Sequence, residues 1–173
     1  MTVEILTAAD ILTSDRAAEW AARRARRDDP LLRAIWRGFV ERGGPVVLED
    51  VAAALPDVDP TAVRAAAAAL DAADLIGLDG GRVRLAYPFT AEPTDFEVVL
   101  PGGRSRHACC AIDALGVAPM LAEPVMVRSR CHRSSAPLNF EVHPVGGPRG
   151  ASPGTLAWVE QGRWGGDRLS GFL

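Results

Sequence analysis

Residues 75–87, LIGLDGGRVRLAY, decide the fold class of this sequence. Aliphatic residues stand on both sides of Asp79-Gly80-Gly81, whose glycines tolerate the positive φ of a tight turn. The pattern predicts a strand, a turn and a second strand. Four helical segments come before it, and the order of the last three and the hairpin, helix, helix, helix, hairpin, is typical of a winged helix-turn-helix. We therefore expect an α+β protein whose N-terminal region is winged-helix-like.

The helical segments before this hairpin carry clear start and stop signals. Asp29-Pro30 and Asp59-Pro60 each supply an N-cap followed by a first-turn proline, and Gly43-Gly44 ends the helix between them. We predict helices over residues 14–27, 30–42, 48–55 and 60–75. The second has an apolar stripe at spacings of three and four, which predicts a buried face formed by Leu31, Ile35, Trp36 and Phe39.

The composition changes after Tyr87-Pro88, where proline and glycine become frequent and helical periodicity fades. We expect residues 1–88 to form the winged-helix-like helical domain, and residues 89–173 to form a small mixed or antiparallel sheet domain that carries the cysteines. Strands are predicted over residues 96–100, 125–130, 138–143 and 155–159, with a hairpin running to residue 108. A short active-site helix is predicted over Cys109–Leu115, ended by Gly116 and Pro119.

Composition and charge limit the compartment and the partners. The 173 residues include no apolar run of the length that crosses a membrane, and the N-terminus is acidic where a signal peptide is basic, so we expect a cytoplasmic protein with no membrane partner. The net charge of −3 gives no attraction to nucleic acid. The helix over residues 60–75 offers Arg64 against Asp71 and Asp74, which also argues against DNA binding. The basic run at residues 23–27 is interpreted as a solvated helix face.

The cysteines point to thiol chemistry. Three cysteines cannot all pair within one chain, and a reducing compartment keeps them as free thiols. Cys110 and Asp113 are three residues apart on the predicted helix, so their β-carbons lie about 5–6 Å apart on one face. We expect the helix N-terminus to lower the pKa of the Cys110 thiol, and desolvation with a nearby thiolate to raise the pKa of Asp113.

A soft nucleophile beside a proton-bearing acid suits cleavage of a bond between carbon and a soft metal. The sulfur takes the metal, and the acid protonates the departing carbon. Spacing alone leaves other electrophiles open. It also leaves open that Cys109 and Cys110 are small buried residues and that Asp113 is an ordinary helix acid. His107, His132 and His143 do not form the regular ligand pairs of a structural zinc site.

A set of ordered motifs resembles the alkylmercury (organomercurial) lyase family. After a strand pair, the sequence has Cys110-Ala111-Ile112-Asp113-Ala114-Leu115, then Pro119, Val127-Arg128-Ser129-Arg130-Cys131 and Ala136-Pro137. With the winged-helix-like N-terminal region, the likeness covers roughly residues 30–145. By this resemblance, Cys110 matches the first catalytic cysteine, Asp113 the proton-handling aspartate, and Cys131 a cysteine usually regarded as structural.

The resemblance also implies a second catalytic cysteine nearer the C-terminus, whereas no cysteine follows Cys131 in this sequence. We therefore expect a divergent, C-terminally short member in which Cys109 or Cys131 is the auxiliary thiol. A free cellular thiol is the further alternative. The expected catalytic residues are Cys110, Asp113, Cys109 and Cys131, and the three cysteines are the expected metal ligands.

The function that follows from the resemblance is protonolysis of an organomercurial, with Hg(II) or another soft metal as substrate and product and without an organic cofactor. Two alternatives stay open. One is a divergent member without lyase activity that binds a soft metal or acts on another thiol-reactive substrate. The other is a winged-helix regulator that responds to metal. The sequence leaves the oligomeric state open.

Overall fold

The computed structural model describes residues 14–26 and 28–157. The helices are α1 (Ser14–Ala25), α2 (Pro30–Arg42), α3 (Leu48–Ala53), α4 (Pro60–Ala72) and α5 (Ala111–Leu121). The strands are β1 (Val46–Val47), β2 (Ile76–Asp79), β3 (Arg82–Ala86), β4 (Phe89–Thr90), β5 (Glu97–Val99), β6 (Ser105–Ala108), β7 (Val125–Arg130), β8 (Pro137–His143) and β9 (Gly147–Arg149).

The strands of the described chain form one antiparallel sheet in the order β1-β3-β4-β6-β5-β7-β8-β9, with β2 also paired to β3. The hairpin predicted from residues 75–87 is confirmed, with Asp79 opposite Arg82. Its turn glycines, Gly80 and Gly81, have φ values of 52° and 80°, which side chains rarely adopt. The α+β class is therefore confirmed.

The sheet runs without a break through the proposed domain boundary at residue 88. β3 pairs with β4 through Ala86 and Phe89, and β4 pairs with β6 through Phe89 and Ala108. Phe89 is fully buried, and its ring stacks on that of Phe39 in α2 at a centroid distance of 6.2 Å. The helical half and the cysteine-bearing half thus share a sheet and a core, while the boundary itself stays a prediction.

Polar contacts hold α2 against the middle of the sheet. The Arg106 guanidinium, on β6, donates to the carbonyls of Phe39 and Val40 in the last turn of α2. The Trp36 indole Nε1 donates to the carbonyl of Tyr87 at 2.8 Å. These contacts fix the chain just before β4, which lies beside the cysteines.

The helix that follows the adjacent cysteines is longer than the sequence predicts. The expectation of a helix over Cys109–Leu115, ended by Gly116 and Pro119, is wrong, because α5 begins at Ala111 and continues through both residues to Leu121. The two residues between them, Val117 and Ala118, are fully buried. Their burial offsets the weak helix propensity of glycine and the hydrogen bond that a proline cannot make.

Smaller differences concern the ends of elements. The first helix ends at Ala25, and the predicted end, Arg27, lies outside the described residues. The strand predicted over residues 155–159 is not formed at residues 155–157, and residues 158 and 159 lie outside the described part. A short strand, β9, occurs instead in the stretch predicted to be a loop. Among the described helices, none has the length and apolar character needed to cross a membrane.

Candidate active site

Two residues, Cys109 and Cys110, carry the chain from β6 into α5. Ala108 pairs with Phe89, and the Cys109 amide still donates to the Pro88 carbonyl at 3.0 Å, so the strand contact extends one residue past β6. Cys110 then adopts an extended conformation, with φ of −154°, and serves as the N-cap of α5. Cys110 was expected within the first helical turn, and it lies one residue before that turn.

The side chains of Cys110 and Asp113 are in direct contact. The Cys110 thiol donates to Asp113 Oδ2 at 2.9 Å, and the Asp113 amide donates to Cys110 Sγ at 3.4 Å. The sulfur thus caps the helix in place of a hydroxyl oxygen, and the carboxylate at the third helical position accepts a hydrogen bond from the thiol. Both side chains are partly exposed, so a ligand can approach them. The prediction that the two groups share one face of the helix is confirmed.

The environment of the pair determines where the protons reside. Burial raises the pKa of Asp113 to about 6, although the hydrogen bond from Cys110 and the charge of Arg23 act in the opposite direction. Burial, followed by the negative charge of Asp113 and the hydrogen bond to it, raises the pKa of Cys110 to about 12. Near neutral pH the thiol therefore keeps its proton and the carboxylate accepts a hydrogen bond from it.

This result corrects the expectation of a lowered pKa at Cys110. The backbone amides of Ile112 and Asp113 do favour the thiolate, as expected at a helix N-terminus. They are outweighed because the sulfur is largely buried and faces a carboxylate. The raised pKa of Asp113 was expected, but burial is its main cause and the thiol contact lowers it.

The other thiols differ from Cys110 and from each other. Cys109 is 5% exposed, and burial raises its pKa. Cys131 follows β7 in a loop and is partly exposed, and hydrogen bonds from the Ser134 side chain and from the backbone of Ser134 and Arg133 lower its pKa. All three cysteines are free.

The strand register places Cys131 at the same end of the sheet as Cys110. Glu97 in β5 is opposite His107 in β6 on one side and Arg128 in β7 on the other. Cys110 lies three residues after His107, and Cys131 lies three residues after Arg128. Because β6 and β7 are separated by one strand, their backbones are about 10 Å apart. The structure thus brings Cys110 and Asp113 into contact and leaves Cys131 two strand positions away.

No group of three or more histidine, cysteine, aspartate or glutamate side chains within the described ranges is arranged to hold a metal ion. The three predicted metal ligands therefore do not converge in this conformation. Two of the three histidines have local partners, since His107 Nδ1 lies 3.2 Å from both the Thr94 amide and the Thr94 carbonyl, and His143 lies 3.2 Å from Glu141.

Sequence reasoning missed a second group of side chains beside the pair. Arg23 of α1 forms an ion pair with Asp74 at 3.2 Å, and its guanidinium carbon lies 6.0 Å from the centre of the Tyr87 ring. Arg23 is only 22% exposed, so it is not part of the solvated face predicted for residues 23–27. The sequence offered one signal for this group, namely Tyr87, which lies just before β4, the strand that pairs with the cysteine-bearing strand β6.

These features define a class, namely an α+β protein with a partly exposed thiol–carboxyl pair at a strand-to-helix junction. Comparison with known proteins specifies it further. Residues 89–163 match the family model of the alkylmercury lyases (MerB), and this segment contains the pair and all three cysteines. The resemblance expected from the sequence is confirmed over that segment.

A solved structure supports the fold assignment over most of the chain. It is described as the crystal structure of the mercury-bound form of MerB2 and is 18% identical in sequence to this chain. The match has a TM-score of 0.62 and covers 89% of this chain and 77% of the other. No curated protein matches the sequence. The structural likeness extends into the helical half, which the family model does not cover.

Proposed function

We propose that this protein cleaves the carbon–mercury bond of an organomercurial by protonolysis. The observation that carries the proposal is the 2.9 Å hydrogen bond from Cys110 Sγ to Asp113 Oδ2 within the segment that matches the alkylmercury lyase family. The pair supplies both groups that the reaction needs, a sulfur ligand for mercury and a carboxyl group whose raised pKa lets it hold a proton.

In the first step, Cys110 takes the mercury of a substrate R–Hg–X. The sulfur lone pair forms the S–Hg bond, X leaves as an anion, and the thiol proton moves along the existing hydrogen bond to Asp113. The carboxylate thus acts as the base for a thiol that is otherwise protonated near neutral pH. The products of this step are Cys110–S–Hg–R and a neutral Asp113 carboxyl group.

In the second step, Asp113 returns the proton to carbon. The electron pair of the C–Hg bond forms the C–H bond, the hydrocarbon R–H leaves, and the mercury remains on Cys110 as a cationic thiolate complex. Asp113 is again a carboxylate, so the pair has carried one proton from sulfur to carbon. Because Asp113 is three residues from Cys110 on one helix, it stays close to a carbon atom bound through mercury to that sulfur.

A second thiol is needed to complete the coordination of the mercury ion and to release it. Cys131 is a better auxiliary thiol than Cys109, because it is partly exposed and its pKa is lowered, whereas Cys109 is buried and its pKa is raised. Its loop would have to move towards Cys110 past the intervening strand β5. A free cellular thiol would perform the same role from solvent.

Incubation with phenylmercury tests the proposal. The wild-type protein should release benzene, which gas chromatography measures, in the presence of excess free thiol. Asp113→Ala should abolish the release while retaining equimolar mercury binding, because the sulfur ligand remains. Cys110→Ser should lose benzene release and the mercury bound at residue 110. Absence of benzene from the wild type with excess thiol would refute the enzymatic proposal.

The same experiment separates the alternatives. Stoichiometric mercury binding without a carbon product would indicate a soft-metal binder. A metal-responsive DNA-binding regulator gains no support from the fourth helix, since Arg64 lies 3.9 Å from Glu49. The groove between α3 and α4, of about 430 Å³, is lined mainly by apolar side chains and contains no cysteine.

A further inference from the structure

Helix α5 has an apolar outer face next to the thiol–carboxyl pair. Its sequence, AIDALGVAPML, contains Asp113 as the one charged residue. The inner side of the helix packs in the core, whereas the outer face is exposed and consists of Ile112, Gly116 and Pro119. A helix that is apolar on all sides is normally buried on all sides. The outer face of α5 is therefore a surface on which an apolar ligand could bind.

Ile112 exposes an apolar side chain between the two reactive residues. It is 48% exposed, and its backbone amide lies close enough to the Cys110 sulfur to favour the thiolate. The other exposed large apolar side chains of the described chain are all in loops, namely Val58, Val145 and Leu156. An apolar group that covers Ile112 removes its surface from water, which favours binding.

Gly116 leaves open space beside Asp113 and Ile112. It follows Asp113 by three residues and Ile112 by four, so it adjoins both on the helix surface. A β-carbon added at Gly116 would meet no heavy atom within 4 Å apart from the backbone of the helix itself. Side chains on a helix lean towards its N-terminus, so any side chain at this position would extend over the surface next to Asp113. Glycine keeps that surface clear, although alanine would favour the helix more.

The direction of an organic group R bound through mercury to Cys110 follows from this arrangement. A two-coordinate mercury atom holds its sulfur and its carbon in line, so R points away from the sulfur. Its carbon atom must reach Asp113 to receive the proton. Cys110, Asp113 and Gly116 succeed one another at intervals of three and form one row along the helix. The rest of R therefore continues past Asp113 over Gly116, with Ile112 alongside.

We propose that the outer face of α5 at Ile112 and Gly116 binds the organic group of the substrate, and that these two residues determine specificity. This inference rests on the proposed function. The preferred substrates are organomercurials whose organic group is apolar and larger than methyl, such as aryl compounds, because a methyl group ends before it reaches Gly116. A carboxylated group is disfavoured, since it would lose water beside the carboxylate of Asp113.

Equilibrium binding tests this inference without turnover. The affinities of phenylmercury and methylmercury are measured in Asp113→Asn protein by competition with one free thiol, which cancels the intrinsic difference between the two mercury–sulfur bonds. This parent should bind phenylmercury about tenfold more tightly than methylmercury. The preference should fall to about twofold with Ile112→Ala, which removes the apolar contact, and with Gly116→Leu, which fills the open space.

Two controls separate binding from folding. Val58→Ala shortens an apolar side chain of similar exposure, 40%, in the loop between α3 and α4, and should leave the preference unchanged. Gly116→Leu should unfold at the same temperature as the parent or a higher one, because leucine favours a helix more than glycine does. Equal affinities in the parent, a preference that survives either substitution, or a lower unfolding temperature of Gly116→Leu would overturn the inference. Failure of benzene release by the wild type would refute the lyase proposal alone, because the binding ratio is measured independently.

Discussion

Replacement of Asp113 by asparagine should change sulfur reactivity and turnover in opposite directions. The negative charge of Asp113 and its hydrogen bond from the thiol both raise the pKa of Cys110. Both effects are lost in the variant, because the amide is neutral and can donate to a thiolate. Burial, the largest cause of the raised value, remains. We expect the pKa of Cys110 to fall by about one unit.

A fall of one pKa unit increases the thiolate fraction about tenfold, but a less basic thiolate is about threefold less nucleophilic, so alkylation should become about threefold faster. Hydrocarbon release should fall by about 10²-fold or more, because the group that returns the proton to carbon is lost. The first effect is measured by iodoacetamide labelling of Cys110 with peptide mass mapping. The second is measured by release of benzene from phenylmercury.

Asp113→Glu provides a control that keeps the charge and lengthens the side chain, so labelling of Cys110 should not accelerate. The reasoning fails if the asparagine variant labels more slowly than the wild type. It also fails if that variant releases benzene at an unchanged rate, because the carboxyl group would then not supply the proton.

Three further predictions concern Asp113 and the three cysteines. Burial favours the protonated form of Asp113, so this group stabilises the fold below its ordinary pKa of 3.8, and that stabilisation is lost as pH rises through about 6. Asp113→Asn should therefore be about 3 kcal/mol more stable than the wild type above neutral pH, and the difference should vanish in acid. Denaturant titrations at the two pH values measure it. Cys110→Ser should keep the N-cap of α5, whereas Cys110→Ala should be about 1 kcal/mol less stable than the serine variant in the same titrations; equal stability would show that the cap contributes nothing. Iodoacetamide at about pH 8 should label Cys131 first and Cys109 last, as measured by mass mapping. Cys131 is partly exposed and its pKa is lowered, whereas Cys109 is buried and its pKa is raised. The reverse order of labelling would contradict the described burial.

Local signals in the sequence were sufficient for the hairpin and for the contact at the candidate site. The glycines of the turn and the alternating apolar residues predicted β2 and β3 because turn and strand preferences act over a few residues. The separation of three between Cys110 and Asp113 predicted their contact because helix geometry fixes it.

Features that depend on the tertiary structure were not accessible in this way. The length of α5 was missed because burial of Val117 overrides the local effects of Gly116 and Pro119. The direction of the Cys110 pKa was missed because it depends on how deeply the sulfur is buried. Arg23 and Tyr87 were missed because their contact joins residues that are far apart along the chain.

The sheet that passes through residue 88 bears on how the protein can be divided for experiments. A fragment ending there would lack the partner of β3 provided by β4, and a fragment starting there would leave the short strand β4 beside β6 with one edge open. Open edges of this kind recruit other chains. Either piece expressed by itself should therefore aggregate, and mixing the two pieces should restore solubility only if the severed ladder forms again between them.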